Sequence, residues 1–430
     1  GVAGEDVLFG DHGKVELTNG TITHWVTTNF DNGGNDTIDA GLNLDFVAGG
    51  GGNDLVTNQG DDAEIFFGDQ GEVLTTPDSG GNYLLEKILS LSAASDGNDT
   101  LFGESGNDTI FGGGQDDSIS GVAGEDVLFG DHGKVELTNQ IITLIESTDF
   151  DNGGNDTIDA GINSDTVIGG ARNDLVTNEG DTSPDVIYGD QGYWDATIIS
   201  NITDPNDGDD KLYSESGNDT ILAGGAKDYV ESGNDLDIVL GDHGIVTRNS
   251  GTVIRIETTE SDSGDDDVIL AGNDDDTVFA GPKNDRITGD TNNNGDDILI
   301  GDQGYWTPSV IIAEFDSLSN PDGEDTIFGL GGNDTIFGNN NRDYLEGNQG
   351  LDILIGDYGI IEHTGKEAKR IDTIDATQPK IDVTKGHDDF IDGGDNNDTI
   401  IGGTASDSIV GGYDGGRDLI LGDNGTVVNN

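Results

Sequence analysis

Residues 94–129 read ASDGNDTLF, GESGNDTIF, GGGQDDSIS and GVAGEDVLF. In these four nonapeptides Asp99, Asp108, Asp117 and Asp126 hold the sixth place, and Leu101, Ile110, Ile119 and Leu128 the eighth. Gly opens three of them, and Gly97, Gly106 and Gly124 precede the Asp by two. So short and strict a period marks a solenoid, because each repeat buries its apolar residue only against its neighbours. The Asp column needs a separate explanation. Carboxylates stacked at one position of a coil repel one another unless a cation lies between them.

The burst recurs along the chain. Asp210, Asp219, Asp228 and Asp237 keep the spacing of nine, as do Asp325, Asp334, Asp343 and Asp352. Three bursts stretch at the last step: Asp156, Asp165, Asp174, Asp185; Asp267, Asp276, Asp285, Asp297; and Asp389, Asp398, Asp407, Asp418. The first, Asp36, Asp45 and Asp54, ends in DDAEIFFGD, where the fourth Asp is displaced or replaced by Glu64. Asp6 holds the sixth place of a lone nonapeptide before them. Each burst closes on Gly-Asp-x-Gly, whose Asp never varies: Asp11, Asp69, Asp131, Asp190, Asp242, Asp302, Asp357 and Asp423. A gap of about 25 to 37 residues follows, which suits one extra hairpin better than a domain.

This punctuation divides the chain into modules 14–71, 72–133, 134–192, 193–244, 245–304, 305–359 and 360–425. Residues 1–13 read as the end of a cut module and 426–430 as the start of another, as expected for a segment of a longer array. A second period overlies the first. GVAGEDVLFGDHGKVELTN stands at 1 and again at 121, and DNGGNDTIDAG at 31 and 151. Two module types therefore alternate.

Composition narrows the function. The 430 residues carry 87 acidic against 17 basic side chains, a formal charge of −70, with 71 Gly. Such a chain stays expanded without counterions. The same charge disfavours nucleic acid and anionic lipid, and no stretch is apolar enough to enter a membrane. A disordered acidic tail is the competing reading, but such tails do not keep an apolar residue at a fixed repeat position. Without Cys, disulfides and thiolate metal sites are excluded.

Each nonapeptide reads as a turn and a short strand. In GESGNDTIF the glycines serve a tight turn, and Thr109, Ile110 and Phe111 are strand formers. Two nonapeptides make one flattened eighteen-residue rung, stacking Asp108 with Asp126 on one edge and Asp99 with Asp117 on the other. Carboxylate and Gly carbonyl oxygens between rungs make the all-oxygen environment that Ca2+ prefers over the stricter octahedron of Mg2+.

GGGGNDLVT at 49–57, GLGGNDTIF at 329–337 and GESGNDTIF closely resemble the RTX, or haemolysin-type, calcium-binding nonapeptide Gly-Gly-x-Gly-x-Asp-x-(aliphatic)-x. The resemblance covers somewhat more than half of the chain. It implies an all-β, right-handed parallel β-roll or β-helix solenoid, here interrupted by β-hairpin segments, with many Ca2+ ions between turns and folding after secretion. By position it assigns the ligands to the sixth-place Asp residues named above, with Gly carbonyls of the same turns. The second-place Gly is mostly missing, with Glu104, Val122, Leu330 and Asn348 in its stead. GLNLD at 41–45 and AGGAKD at 223–228 lack ligand-friendly residues. The Gly-Asp-x-Gly closure lies outside the consensus; its Asp (Asp11, Asp69, Asp131, Asp190, Asp242, Asp302, Asp357, Asp423) is expected to be a further calcium ligand, with a side-chain bond to the turn backbone as the alternative.

The gaps have strand character. KVELTNGTITHWVTT at 14–28 alternates around Asn19-Gly20, and IVTRNSGTVIRIET at 245–258 around Asn249 to Gly251, both hairpin signals. Trp25, Trp194, Trp306, Tyr193 and Tyr305 lie in gaps, where they cap short apolar cores or stack on sugars. His12, His132 and His243 share the third place of Gly-Asp-x-Gly with Gln70, Gln191, Gln303, Tyr358 and Asn424, so that place reads as a turn position. Asp290, Asn292, Asn294 and Gly295 imitate half an EF-hand loop between strand-like flanks, an expanded turn. Asn107 and Asn333 form sequons inside the ion turns, whereas the gap residues Asn19 and Asn201 are better acceptors.

No Gly-x-Ser-x-Gly, His-Glu-x-x-His or Cys nucleophile is present. The expected function is a non-enzymatic, extracellular, calcium-rigidified repeat array: an adhesin stalk, surface layer or filament at the cell surface. Its partners would be calcium, other copies of itself or cell-surface components. The alternatives are an accessory region of a secreted enzyme and a carbohydrate-binding surface module.

Overall fold

The computed structural model describes residues 5–428 apart from 31–32, 61, 81, 179, 260–263, 292–294, 314–322, 366, 374–386, 414 and 424. All regular structure among these residues is β. The chain forms two compact units, Gly1–Glu215 and Ser216–Asn430, and each follows one plan.

In the first unit the nonapeptide strands fall alternately into two parallel sheets. The inner sheet orders Val7–Phe9, Phe46–Ala48, Ile65–Phe67, Thr109–Phe111, Val127–Phe129, Thr166–Ile168 and Val186–Tyr188. The outer sheet orders Thr37–Asp39, Leu55–Thr57, Thr100–Phe102, Ser118–Ser120, Thr157–Asp159, Leu175–Thr177 and Lys211–Tyr213. Thr100 lies opposite Ser118 and Ile110 opposite Leu128, the offset of one eighteen-residue rung. In the second unit an inner sheet runs from Thr220–Leu222 to Leu419–Leu421 and an outer sheet from Tyr229–Glu231 to Ser408–Val410. The chain is thus an all-β β-roll solenoid, as the period demands.

The gaps form the expected hairpins. Gly13–Thr18 pairs with Thr21–Thr27 through Asn19 (φ 54°) and Gly20 (φ 89°), both left-handed as the tight turn requires. In the second copy Gln140 replaces that Gly and still adopts φ 65°. Successive hairpins pair side by side: Thr21–Thr27 with Gln70–Pro77, Tyr83–Leu91 with Gly133–Thr138, Ile141–Ser147 with Gly192–Trp194. The result is a third, antiparallel sheet in each unit.

Strand spacing explains why bursts hold four repeats. Neighbouring strands lie about 4.8 Å apart in any sheet. Four nonapeptides climb two rungs, and the two strands of one hairpin span the same two steps. One hairpin every second rung therefore keeps the third sheet in step with the other two.

The core has two layers. Eighth-place residues such as Leu101, Ile110, Ile119 and Leu128 are buried between the parallel sheets. Ninth-place residues of the inner sheet (Phe67, Phe111, Phe129) are buried under the hairpin sheet. Phe67, Phe111 and Phe129 stack at 5.1 and 4.7 Å between centroids. Trp25 closes this layer, edge-on to Phe9, Phe46 and Phe67 and 1 % exposed. Of the two readings for gap aromatics, Trp25 takes the core one; Trp194 and Trp306 are half-buried. The last Gly of the closing signature packs flat on the ring beneath it: a Cβ on Gly133 would lie 2.2 Å from Phe129.

Candidate calcium-binding edges

The two sixth-place columns occupy opposite edges of the coil. Turns from outer to inner strand, such as 103–108 and 121–126, form an unbroken edge, with a direct turn on every rung. Turns from inner to outer strand form an interrupted edge, where a direct turn such as 112–117 alternates with Gly-Asp-x-Gly and a hairpin.

Along both edges one carboxylate oxygen of each sixth-place Asp is committed to the fold. On the interrupted edge the N–H of Asp36 donates to Asp54 Oδ1, and the ladder continues through Asp99, Asp117, Asp156 and Asp174 to Asp210, at 2.7 Å each. In the second unit it joins Asp228, Asp267, Asp285, Asp325, Asp343, Asp389 and Asp407. On the unbroken edge the N–H of Asp6 donates to Asp45; after a break at the Glu64 carboxylate, the N–H of Glu64 donates to Asp108, and Asp126, Asp165 and Asp185 follow in order. In the second unit Asp219, Asp237, Asp276, Asp297, Asp334, Asp352, Asp398 and Asp418 do the same. Glu64 immediately precedes the strand Ile65–Phe67 and donates its N–H to Asp108, but its buried carboxylate accepts no bond, so it fills the place of the missing Asp without its side-chain role in the ladder. Asn107 and Asn333 run parallel minor ladders, accepting the N–H groups of Glu125 and Leu351.

The second oxygen is different. Oδ2 of Asp54, Asp99, Asp108, Asp117, Asp126, Asp156, Asp165 and Asp174 is buried with no hydrogen-bond donor, as it is in Asp267, Asp276, Asp285, Asp334 and Asp343. Ten of these thirteen oxygens border a cradle at a glycine of the preceding turn, and Ala160, Ala271 and Ala280 stand at that place before Asp165, Asp276 and Asp285. A Cβ on Gly112 would lie 2.4 Å from Asp117 Oδ2 and 2.2 Å from the Gly130 carbonyl. At Gly49 both distances, to Asp54 Oδ2 and Gly68 O, would be 2.3 Å. An unsatisfied buried carboxylate oxygen is costly unless a cation or proton answers it.

Backbone shape keeps the cradles in register. Glu104, Val122, Leu330 and Asn348 have φ of 70–74°, so the second place keeps the conformation of the consensus Gly without the Gly. The fourth-place Gly is held by contact: a Cβ on Gly124 would fall 1.4 Å from Gly106 O. Among the described residues no three acidic or histidine side chains gather at one point. A cation between rungs would therefore complete its shell from backbone carbonyls. One carboxylate oxygen, neighbouring carbonyls and no nitrogen or sulfur make a donor set that fits Ca2+.

Burial pushes these carboxyls above the usual range. On the unbroken edge desolvation raises Asp108 to about 6, Asp126 to about 7 and Asp165 to about 9. On the interrupted edge Asp117, Asp156, Asp174, Asp267, Asp285 and Asp343 lie well above it, first from desolvation.

The closing-signature Asp binds backbone across rungs. Asp69 accepts the N–H groups of Gly97 and Gly114, both at 2.9 Å. Asp131 accepts those of Gly154 at 2.9 Å and Ala171 at 2.6 Å. Asp11, Asp190, Asp302 and Asp357 accept from Gly51, Gly208, Gly323 and Thr404. Asp242 is buried, and Asp423 lies exposed near the end of the last burst. The third place of this signature is more than a turn position. Gln70, His132, Gln191, His243, Gln303 and Tyr358 are all buried there, and His132 Nε2 lies 3.6 Å from buried Asp96. His12 is exposed, and Asn424 falls outside the described residues.

Asp290 ends the strand Arg286–Asp290 and accepts the Gly295 N–H, as an expanded turn does. Asn292 and Asn294 fall outside the described residues.

A family model, the RTX calcium-binding nonapeptide repeat, matches residues 30–56, 94–131, 150–176, 204–239, 261–294, 270–305, 322–354 and 384–412. Among curated proteins no match was found. The matched segments are the bursts, and they cover more than half of the sequence. This chain belongs to the RTX calcium-binding nonapeptide repeat family, as a β-roll repeat protein that binds multiple Ca2+ ions.

Proposed function

We propose that this chain is a calcium-rigidified structural array that works outside the cell, as a stalk, surface layer or filament segment, and is not an enzyme. The ligands are the sixth-place Asp Oδ2 atoms with the Gly carbonyls that face them. The observation that carries the reading is the double row of buried carboxylate oxygens without donors. Ionised and cation-free, these rows repel; with calcium between rungs, binding energy becomes folding energy. A chain of charge −70 that folds only in a calcium-rich medium leaves the cell as a soluble coil and stiffens outside. The signature Asp residues clamp the hairpin rungs through backbone bonds and add negative charge beside the interrupted-edge sites. Partners are other copies of the chain or cell-surface components.

Far-UV circular dichroism with light scattering during a calcium titration tests this, with Mg2+ as control. A coil-to-β transition with calcium alone, accompanied by rising scattering, supports a self-associating array. Full β structure in chelator at neutral pH refutes the switch.

A further inference from the structure

The unbroken edge is not uniform. Its first place is Gly at 103, 121, 289, 329, 347, 393 and 411 and Ala at 40, 160 and 271, but Asn at 58 and 178 and Ser at 214 and 232. In the Gly turns the cradle has two oxygen walls: Oδ2 of the turn's own Asp and the first-place carbonyl of the next rung. A Cβ on Gly121 would meet Asp126 Oδ2 at 2.4 Å and Ala160 O at 2.5 Å; one on Gly347 would meet Asp352 Oδ2 at 2.4 Å and Gly393 O at 2.7 Å.

Three of these polar residues, Asn58, Asn178 and Ser232, reach the same walls with a hydrogen-bond donor. Asn178 is wholly buried, and its Nδ2 donates to Asp185 Oδ2, the carboxylate wall. Asn58 is 4 % exposed, and its Nδ2 donates to Gly103 O at 3.3 Å, the carbonyl wall. Ser232 is wholly buried, and its hydroxyl donates to Ala271 O at 2.5 Å, again the carbonyl wall. Asn58 and Asn178 stand at the same phase of the longer repeat, and both fall just after matched segments that end at 56 and 176.

We infer that the first-place residue selects which turns take calcium: Gly leaves the cradle open, whereas Asn58, Asn178 and Ser232 plug it with an N–H or O–H and hold their rungs without an ion. A donor pointed at the cradle oxygens supplies part of the positive potential that a cation would supply. It also occupies the space. The array then contains calcium-independent joints at Asn58, Asn178 and Ser232. This rests on the proposed calcium reading and decides its stoichiometry.

Calcium bound per chain, by equilibrium dialysis against CaCl2 with elemental analysis, tests it on the whole chain. The variant N178G/S232G opens two cradles and binds two more ions than wild type. G121S closes one and binds one fewer, and carries the test if the double variant does not fold. N178D keeps the size of the plug but cannot donate, and gains one ion. Equal counts in wild type and the folded variants overturn the selector while leaving the calcium reading intact. No calcium on the wild-type chain removes both.

Discussion

The two edges of the coil carry the same Asp at the same repeat position in different surroundings. On the unbroken edge each rung turns directly, and burial brings Asp108 and Asp126 to about 6 and 7. On the interrupted edge a hairpin leaves on alternate rungs, a signature Asp reaches in, and Asp117 and Asp156 are driven well above the carboxylate range. The lesson is that the Asp column alone does not set the electrostatic load. What folds over the turn does. Asp117 and Asp156, beside the hairpins, depend more heavily on a counter-charge than Asp108 and Asp126, although Asp276 and Asp334 on the unbroken edge are themselves raised to about 10.

The largest expected effect is on the whole fold. These carboxyls titrate higher folded than unfolded, so cation-free stability is fully present below about pH 4 and is lost as pH rises through the folded values. For Asp126 at about 7 the loss approaches about 4 kcal/mol once both states are ionised. Repeated along two edges, this exceeds the about 5–15 kcal/mol by which domains are stable. In chelator, circular dichroism should show β structure near pH 4 that melts as pH rises from 6 to 9. A flat pH profile would erase the difference between the edges.

Next in size is the contrast between D156N and D126N. Asn keeps the Oδ1 acceptor for the preceding N–H but removes the buried charge. Both variants should stabilise the chelated protein at pH 7, D156N more, and both should weaken calcium binding by a site. Chemical denaturation with and without calcium reads both signs; equal gains would show that the hairpin adds no load.

D131A strips the acceptor from the Gly154 and Ala171 N–H groups, and each orphaned donor costs about 1–3 kcal/mol. Denaturation in saturating calcium should show this loss. Stability unchanged there would mean that the clamp is replaceable.

The smallest effect concerns the left-handed second place on the unbroken edge. Val122 has φ 70°, and relieving a non-Gly residue of that conformation is worth about 1–2 kcal/mol. V122G should raise the melting temperature in calcium by a few degrees.

Much of this was legible in the sequence. The spacing of nine gave the rung, the eighth place gave the core, and Asn19-Gly20 gave the hairpin turn. The missing second-place Gly looked like a departure from the family, yet Glu104 and Leu330 keep its backbone conformation. The layering was not legible. Whether a ninth-place residue meets solvent or a hairpin depends on pairings across the gaps, such as Val127 with Thr166, which no local pattern reveals. The burial of the third place of the closing signature was illegible for the same reason. Gln, His and Tyr alternate there freely, as on a surface, but the departing hairpin buries them. Nothing in the sequence sets Asn58 and Asn178 apart; their amides stand against the cradle walls only in the fold.

The central claim is that cations stand between the sixth-place carboxylates and the first-place carbonyls. Anomalous diffraction from crystals grown in calcium tests it most directly. Peaks are expected within bonding distance of Oδ2 of Asp108, Asp126, Asp117 and Asp156, with none at Asn178. Density showing those carboxyls facing only protein, with calcium scattered over the exposed acidic surface, would contradict it.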